Sequence, residues 1–358
     1  MRAFRTKRTT RTVIAAAAVL SVSAGLIGCS NDTTTGGDDG EFTTEGLSIG
    51  QILYSSNESQ MAHARHVEEY AASLGMKVRT VDGQIDPQVQ TEAVSDFVSA
   101  NLDGILLQPV DPAAAVVPIE QAQQAGIPIA TWAIKPADEV TTPFLELNEY
   151  DTTFEAGVNA ANAIAEYFPG AQARIVVLDI PTVPLCSELR VQGFVDGVLS
   201  VAKDGEVVAR LDGVGDRESS TNVMEDLLQT GADFNIVSAC NGEMLLGALG
   251  ALRAAGRGEA VDNVPVTEYL FSIDGTSAEI EELMDPTSPV VETMALAPRE
   301  NARAFVDILV KMMSGEIGMT EAYLEKTGAA GSRLLGPDCT VLNQFMSEQY
   351  FVDNAVSC

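Results

Sequence analysis

The chain holds 358 residues, which at roughly 100 to 200 residues per domain leaves room for two or three domains with real cores, two being the simpler division. Its 51 Asp and Glu face 21 Lys and Arg, a formal net charge of −30. A surface that acidic repels nucleic acid and anionic lipid, so nucleic acid is excluded as a partner, and the charge otherwise serves solubility.

The N-terminus reads as a leader. Arg2, Arg5, Lys7, Arg8 and Arg11 form a basic region, and the apolar run over 13–27 that follows is too short for a comfortable transmembrane helix. The run LIGC, ending at Cys29, resembles a bacterial lipobox. That resemblance implies export, cleavage before Cys29 and a diacylglyceryl anchor on it, two acyl chains being enough for stable membrane attachment. A plain secretory signal fits less well, because small residues lead directly into a cysteine and then a polar tether. Residues 29–46, rich in Thr, Gly and Asp, have almost nothing to bury and are expected to be disordered. Without residues 1–28, 16 basic side chains remain against 51 acidic ones, a charge near −35.

From residue 47 strand and helix patterns alternate. Strands are predicted over 47–53, 76–81, 103–108 and 127–132, and helices over 58–74 and 87–100. Asp86-Pro87 and Asp111-Pro112 each place a good N-cap before a proline suited to a first helical turn. The alternation repeats with helices over 151–167, 187–202 and 219–230 and strands over 174–179, 206–211 and 234–239. An amphipathic helix to 256, a strand over 266–274, a short helix over 278–284, a strand over 290–296 and a helix over 299–313 follow. Strands separated by helices imply right-handed βαβ units. The expected fold is therefore α/β, two doubly wound parallel-sheet lobes joined by a multi-strand hinge: residues 47–147 plus 297–320 in the first, 148–296 in the second. Residues 321–358 read as a loop-rich extension, an appended lid or strap.

Apart from Cys29, four cysteines remain. Four allow three pairings; Cys186 with Cys240, both just after strands of one lobe, and Cys339 with Cys358, which would staple the tail, are preferred. No CxxC or HxxxH spacing exists, so no metal is expected, and no other cofactor is implied. His63 and His66 share a helix face at i, i+3, lack a third ligand and read as solvent-facing.

In open α/β sheets small ligands bind at the carboxyl ends of the strands. The first lobe places Ser55, Ser56, Asn57, Glu58, Gln108, Asp111, Trp132 and Lys135 there, and the second places Arg190, Asp216, Arg217, Asn241 and Asp274. Carboxylates, a guanidinium and amides together saturate hydroxyls, which donate and accept, and an indole covers the apolar face of a polyol. For single residues plainer roles compete. Asn241 suits a helix cap, Glu58 a helix N-terminal carboxylate, Trp132 hinge packing, and Arg217 either an anionic group or a solvated loop.

The order IPIATW, RVQGF (190–194), ACNGEMLLGALGALRAAG and IDGT (273–276), with QPVDPAAAVVPIEQAQQAGIPI (108–129), resembles the ribose-binding branch of the type I periplasmic binding proteins over residues 47–317. The resemblance implies that Arg190, Asn241 and Asp274 hold ring hydroxyls from the second lobe. The first lobe departs from the family. Ala133-Ile134 stand where an Asp-Arg pair is usual, Leu296 where a glutamine is, and SSNESQM (55–61) replaces an aromatic pair. Each buried hydroxyl left unpaired costs about 1–3 kcal/mol, so ribose fits poorly. Asn57, Glu58 and Trp132 are expected to take over and select another sugar, sugar alcohol or small polar solute. The function implied is a solute-binding lipoprotein on the outer face of the cell membrane that feeds an ABC permease, by closure at crossovers near 135–147, 273–276 and 296–298. A ligand-sensing partner of a chemoreceptor or membrane histidine kinase is the alternative. An exported enzyme using Glu58 and Asp274 as acid and base lacks an accompanying nucleophile, metal site or phosphate loop.

Overall fold

The computed structural model describes residues 42–357. The leader, Cys29, most of the tether and Cys358 lie outside the described residues.

The first lobe begins with β1 (Ser48–Leu53), α1 (Glu58–Ser73), β2 (Lys77–Asp82), α2 (Pro87–Ser99), β3 (Gly104–Leu107), α3 (Val116–Gln124), β4 (Ile129–Trp132) and β5 (Phe144–Glu146). Every residue of β3 and β4 is buried, as expected for parallel strands covered on both faces. Asp86 caps α2 through Gln88 N at 2.8 Å, with Pro87 in the first turn, as the sequence predicts. The same motif at Asp111-Pro112 closes a turn through Ala114 N at 2.7 Å instead, and α3 starts four residues beyond Pro112.

The second lobe follows with α4 (Glu149–Tyr167), β6 (Arg174–Asp179), a π-helical turn over Leu185–Val191, α5 (Gln192–Val201), β7 (Glu206–Asp212), α6 (Arg217–Gln229), β8 (Ile236–Ala239) and α7 (Gly242–Ala254). A small hairpin, β9 (Ala260–Val261) with β10 (Val264–Pro265), precedes β11 (Tyr269–Asp274), α8 (Ser277–Met284) and β12 (Val290–Leu296). Helices α4 and α5 pack unusually close. A Cβ on Gly157 or Gly197 would run into the facing carbonyl oxygens of Phe194 and Phe154. Helix α4 also packs against the π-helical turn that leads into α5, an irregularity frequent at functional sites.

Helix α9 (Pro298–Met313) returns to pack on β3 and β4, and then β13 (Leu324–Lys326), β14 (Ser332–Leu335) and α10 (Cys339–Tyr350) end the described chain. The tail is thus neither loop-rich nor appended. Strand β13 adds in parallel to β5 and β14 adds antiparallel to β12, giving the sheet orders β13-β5-β4-β3-β1-β2 and β14-β12-β11-β8-β6-β7. Among the described residues the chain crosses between the sheets three times: after β5, after β12 and between β13 and β14. The crossings lie side by side, with Thr327 N donating to Glu146 O at 3.2 Å and Ala297 N to Gly331 O at 3.0 Å. Residues 273–276 are not a crossing, because β11 leads into α8 and back to β12 within the second lobe.

Candidate functional site

The strand ends of both sheets face a cavity of about 100 Å³. A single water needs roughly 10–15 Å³ by the same measure, so the space suits several waters or one small ring. Asn57, Gln60, Gln108, Trp132, Ala133 and Ile134 line it from the first lobe; Arg190, Asn241, Asp274 and the Cys186–Cys240 disulfide line it from the second.

Arg190 projects from the π-helical turn and is held on several sides. Its Nε and Nη2 donate to the two oxygens of Glu149 at 2.9 and 2.7 Å, and Nη1 donates to the Cys240 carbonyl at 2.8 Å. This is the bidentate geometry that makes guanidinium–carboxylate pairs strong and directional. Burial opposes the Arg190 charge, yet Glu149, then Asp274 and Glu279, hold the guanidinium above its usual value. Asp274 Oδ1 lies 3.6 Å from Nη1, and Asp274 Oδ2 accepts only a long bond, 3.4 Å, from Gly242 N. Burial pushes the Asp274 carboxyl up to about 6, with Arg190 pulling the other way. Behind it, Glu279 is pushed up to about 7 by burial and by Asp274, although Ser272, Thr276 and Thr293 all donate to it. Asp274 sits at φ 118°, a region that side-chain-bearing residues rarely occupy. Such strain, kept at a cavity wall, is typical of positions held for a ligand.

The first lobe presents amides and an indole. Asn57 caps α1 by accepting from Gln60 N at 2.9 Å. One turn on, Gln60 comes round to the same side, and its side-chain oxygen and that of Gln108 are buried without a hydrogen-bond partner among the described residues. Gln90 fixes the end of β3 from below, donating to Gln108 O at 2.7 Å and accepting from Val110 N at 3.0 Å. Trp132 lies stacked on His63, ring centroids 4.0 Å apart and planes 10° from parallel.

The structure therefore brings Asn57, Trp132, Arg190, Asn241 and Asp274 to one cavity. Asn241 is also the cap that its position suits: Oδ1 accepts from Met244 N at 2.8 Å and Nδ2 donates to Gly215 O at 3.1 Å, leaving one amide hydrogen for anything else. Two expected residues are not in the cavity wall. The Glu58 carboxylate accepts from Ser277 N at 3.1 Å and from Ser277 Oγ, across the cleft at the start of α8. The Glu58–Asp274 acid/base pair is thereby not assembled. Arg217 opens α6 half-exposed and forks onto Glu243, both bonds 3.0 Å. His63 and His66 are buried rather than solvent-facing, at 2 and 6% exposure. Trp132 and Phe305 cover His63, and His66 Nε2 bonds Gln349 O at 2.9 Å under Phe351. Burial, with His66 nearby, lowers the His63 imidazole to about 3, so it stays neutral.

Sequence reasoning missed Gln60, Glu149 and Glu279. Gln60 was within reach, since i, i+3 from the cap Asn57 puts it on the same side of α1. Glu279 was within reach as well, since Thr276-Ser277-Ala278-Glu279 spells the capping box that opens α8; Glu149 carries no local signal for its pairing with Arg190. The disulfide expected between Cys186 and Cys240 is present. Cys339 is also in a disulfide, and Cys358, expected as its partner, lies outside the described residues.

Residues 49–317 match the family model described as periplasmic binding protein domain. The chain is 32% identical over 222 residues to the ribose import binding protein of Bacillus subtilis (strain 168), an alignment spanning 62% of this chain and 68% of that protein. Two solved structures are similar in fold, each at 20% identity. One is an ABC transporter solute binding protein from Bacillus halodurans C-125 with bound myo-inositol, TM-score 0.66, covering 85% of this chain and 99% of that one. The other is from Mycobacterium smegmatis in complex with beta-D-fucofuranose, TM-score 0.70, covering 85% and 95%.

Proposed function

Because the chain belongs to the periplasmic binding protein domain family and has the two-lobed type I fold, we propose that it is an extracytoplasmic solute-binding lipoprotein, anchored through Cys29 on the outer face of the cell membrane. It captures a sugar, sugar alcohol or similar small polar solute between its lobes and delivers it to an ABC permease.

The observation that carries this reading is the cavity, small, placed at the strand ends of both sheets, and walled by groups that both donate and accept. Arg190, Asn241 and Asp274 act from the second lobe. From the first, Asn57, Gln60 and Gln108 supply amides in place of the family's Asp-Arg pair, and Trp132 offers its indole to the apolar face of a ring. Arg190 arrives preoriented by Glu149, so little side-chain freedom is lost when a solute binds. No covalent step is needed. Closure favours the bound state in proportion to the solute's preference for the closed form.

A thermal-shift screen of the purified protein against pentoses, hexoses, polyols and small acids tests this. A solute at 100 times its Kd should stabilise the fold by about 2.7 kcal/mol and raise Tm accordingly. A panel in which nothing moves Tm would overturn the sugar-type assignment.

A further inference from the structure

Two loops repeat one another across the cleft. Strands β2 and β7 hold the same place in their sheets, at the edge farthest from the three crossings. Each ends in an Asp followed by Gly, two further residues and a second Asp: Asp82-Gly83-Gln84-Ile85-Asp86 and Asp212-Gly213-Val214-Gly215-Asp216. The bonding repeats as well. Asp82 Oδ1 accepts from Gln84 N at 2.9 Å and Asp212 Oδ1 from Val214 N at 3.1 Å, while Asp86 and Asp216 cap α2 and α6.

In both loops the two residues before the closing Asp turn through positive φ, 54° and 54° in the first, 55° and 88° in the second. That backbone suits glycine, and Gly215 supplies one. Ile85 stands at the matching place of the first loop, and Val214 directly precedes Gly215 in the second. Among the described residues they are the only β-branched side chains at positive φ, a region where a branched Cβ is least tolerated. They are also 54 and 62% exposed. An exposed apolar side chain alone needs no explanation, but one kept on a backbone that opposes it does. Both loops are tied to the cavity wall, Ile85 N donating to Tyr54 O at 2.9 Å and Gly215 O accepting from the Asn241 side chain at 3.1 Å. Ile85 and Val214 themselves line the cavity, one from each lobe.

We propose that Ile85 and Val214 are apolar lips, one on each lobe, that close over the outer edge of a bound solute, exclude water from it and leave no path for a second ring. The inference rests on reading the cavity as the solute site and assigns it two retention and size-limiting residues. Their strain and exposure weigh against the solute-free fold and are offset when a solute covers them. Water kept from the outer edge strengthens every hydrogen bond made inside, so the lips act chiefly on the rate at which solute leaves.

Calorimetry on the purified protein tests it, with ribose, xylose, glucose, galactose and myo-inositol as single-ring probes and maltose and lactose as two-ring ones. Two double variants are compared with the native chain: Ile85→Gly with Val214→Gly, which removes both side chains, and Ile85→Asn with Val214→Asn, which suits the same backbone but is polar. Both should keep or raise the solute-free Tm, because the strain is relieved. Both should bind the single-ring probes that the native protein binds tenfold or more weaker, and the glycine pair should also narrow the preference for one ring over two. Affinities within threefold of native in either pair, or a solute-free Tm lowered by several degrees in both, overturn the inference and leave the solute-binding reading standing. If no probe and no solute of the wider screen binds the native protein, both fall.

Discussion

Glu279 is 1% exposed and feels the charge of Asp274, so two carboxyls sit where burial favours their protonated forms. Their ordinary values are 4.5 and 3.8; in the folded chain they rise to about 7 and about 6. Between these limits the folded chain holds more protons than the unfolded one, so their contribution to stability falls as pH rises from about 4 to about 7. Glu292, also raised to about 7 by burial, acts with the same sign. Glu279→Gln should therefore flatten the decline in urea midpoint between pH 5 and pH 7 without abolishing it. A variant as pH-sensitive as the native protein would show that Glu279 is ionised at both pH values. At this scale the sequence was informative about type and poor about partnership. Arg190, Asn241 and Asp274 could be placed because strand ends are readable. That Glu149 would neutralise Arg190 depends on which side of α4 meets the π-helical turn, and no periodicity encodes that meeting.

At the scale of elements, the Cys186–Cys240 bridge ties the π-helical turn to the end of β8, closing a loop across 54 positions. Loop-closure entropy assigns such a cross-link about 4 kcal/mol. The double variant Cys186→Ala, Cys240→Ala should melt well below the native protein and also bind solute more weakly, because the Cys240 carbonyl that accepts from Arg190 is no longer held. Unchanged affinity at a lowered Tm would confine the bridge to stability. The tail gives a second case. Leu342, Phe345, Met346 and Tyr350 bury against both lobes, and Tyr350 Oη donates to Asp274 O at 3.1 Å beneath the cavity. Each buried large side chain contributes about 1.5–3 kcal/mol before the entropy of ordering α10 is subtracted, so exposing all four at once would strip the second and first lobes of shared core. A chain lacking residues 337–358 should unfold or melt far lower; equal melting would restore the detachable lid. The βαβ alternation was legible because apolar runs stop at clear turn signals. Strands β5 and β13 were not, being three residues long, and neither β13 nor β14 pairs with a sequence neighbour: Leu324 faces Phe144 and Leu335 faces Thr293.

For the whole molecule, Glu58 and Ser277 are the contact to test, since they join α1 of one lobe to the N-terminus of α8 in the other. The carboxylate accepts from the first residue of a helix of the opposite lobe, one already capped by its own Thr276 and Glu279, and meets the positive end of its dipole, an interaction available only while the lobes are together. Glu58→Ala should weaken solute binding by up to about 1 kcal/mol, roughly fivefold at most. Because Glu58 is not in the cavity wall, relative affinities among solutes should stay the same. Calorimetry gives the first quantity, and small-angle scattering should show a more open chain at subsaturating solute. A changed order of preference would return Glu58 to the solute itself. The three crossings, hydrogen-bonded to one another through Thr327 with Glu146 and Ala297 with Gly331, have a mechanical meaning. One connecting segment acts as a ball joint, about which two bodies twist and tilt freely. Three laid in a row act as the leaf of a door, leaving essentially one rotation and suppressing torsion. Each opening and shutting then retraces a single arc, and the outer rims of the two lobes meet in the same alignment every time. A partner that reads both rims together thus encounters a gap that varies in width along one path and is not twisted.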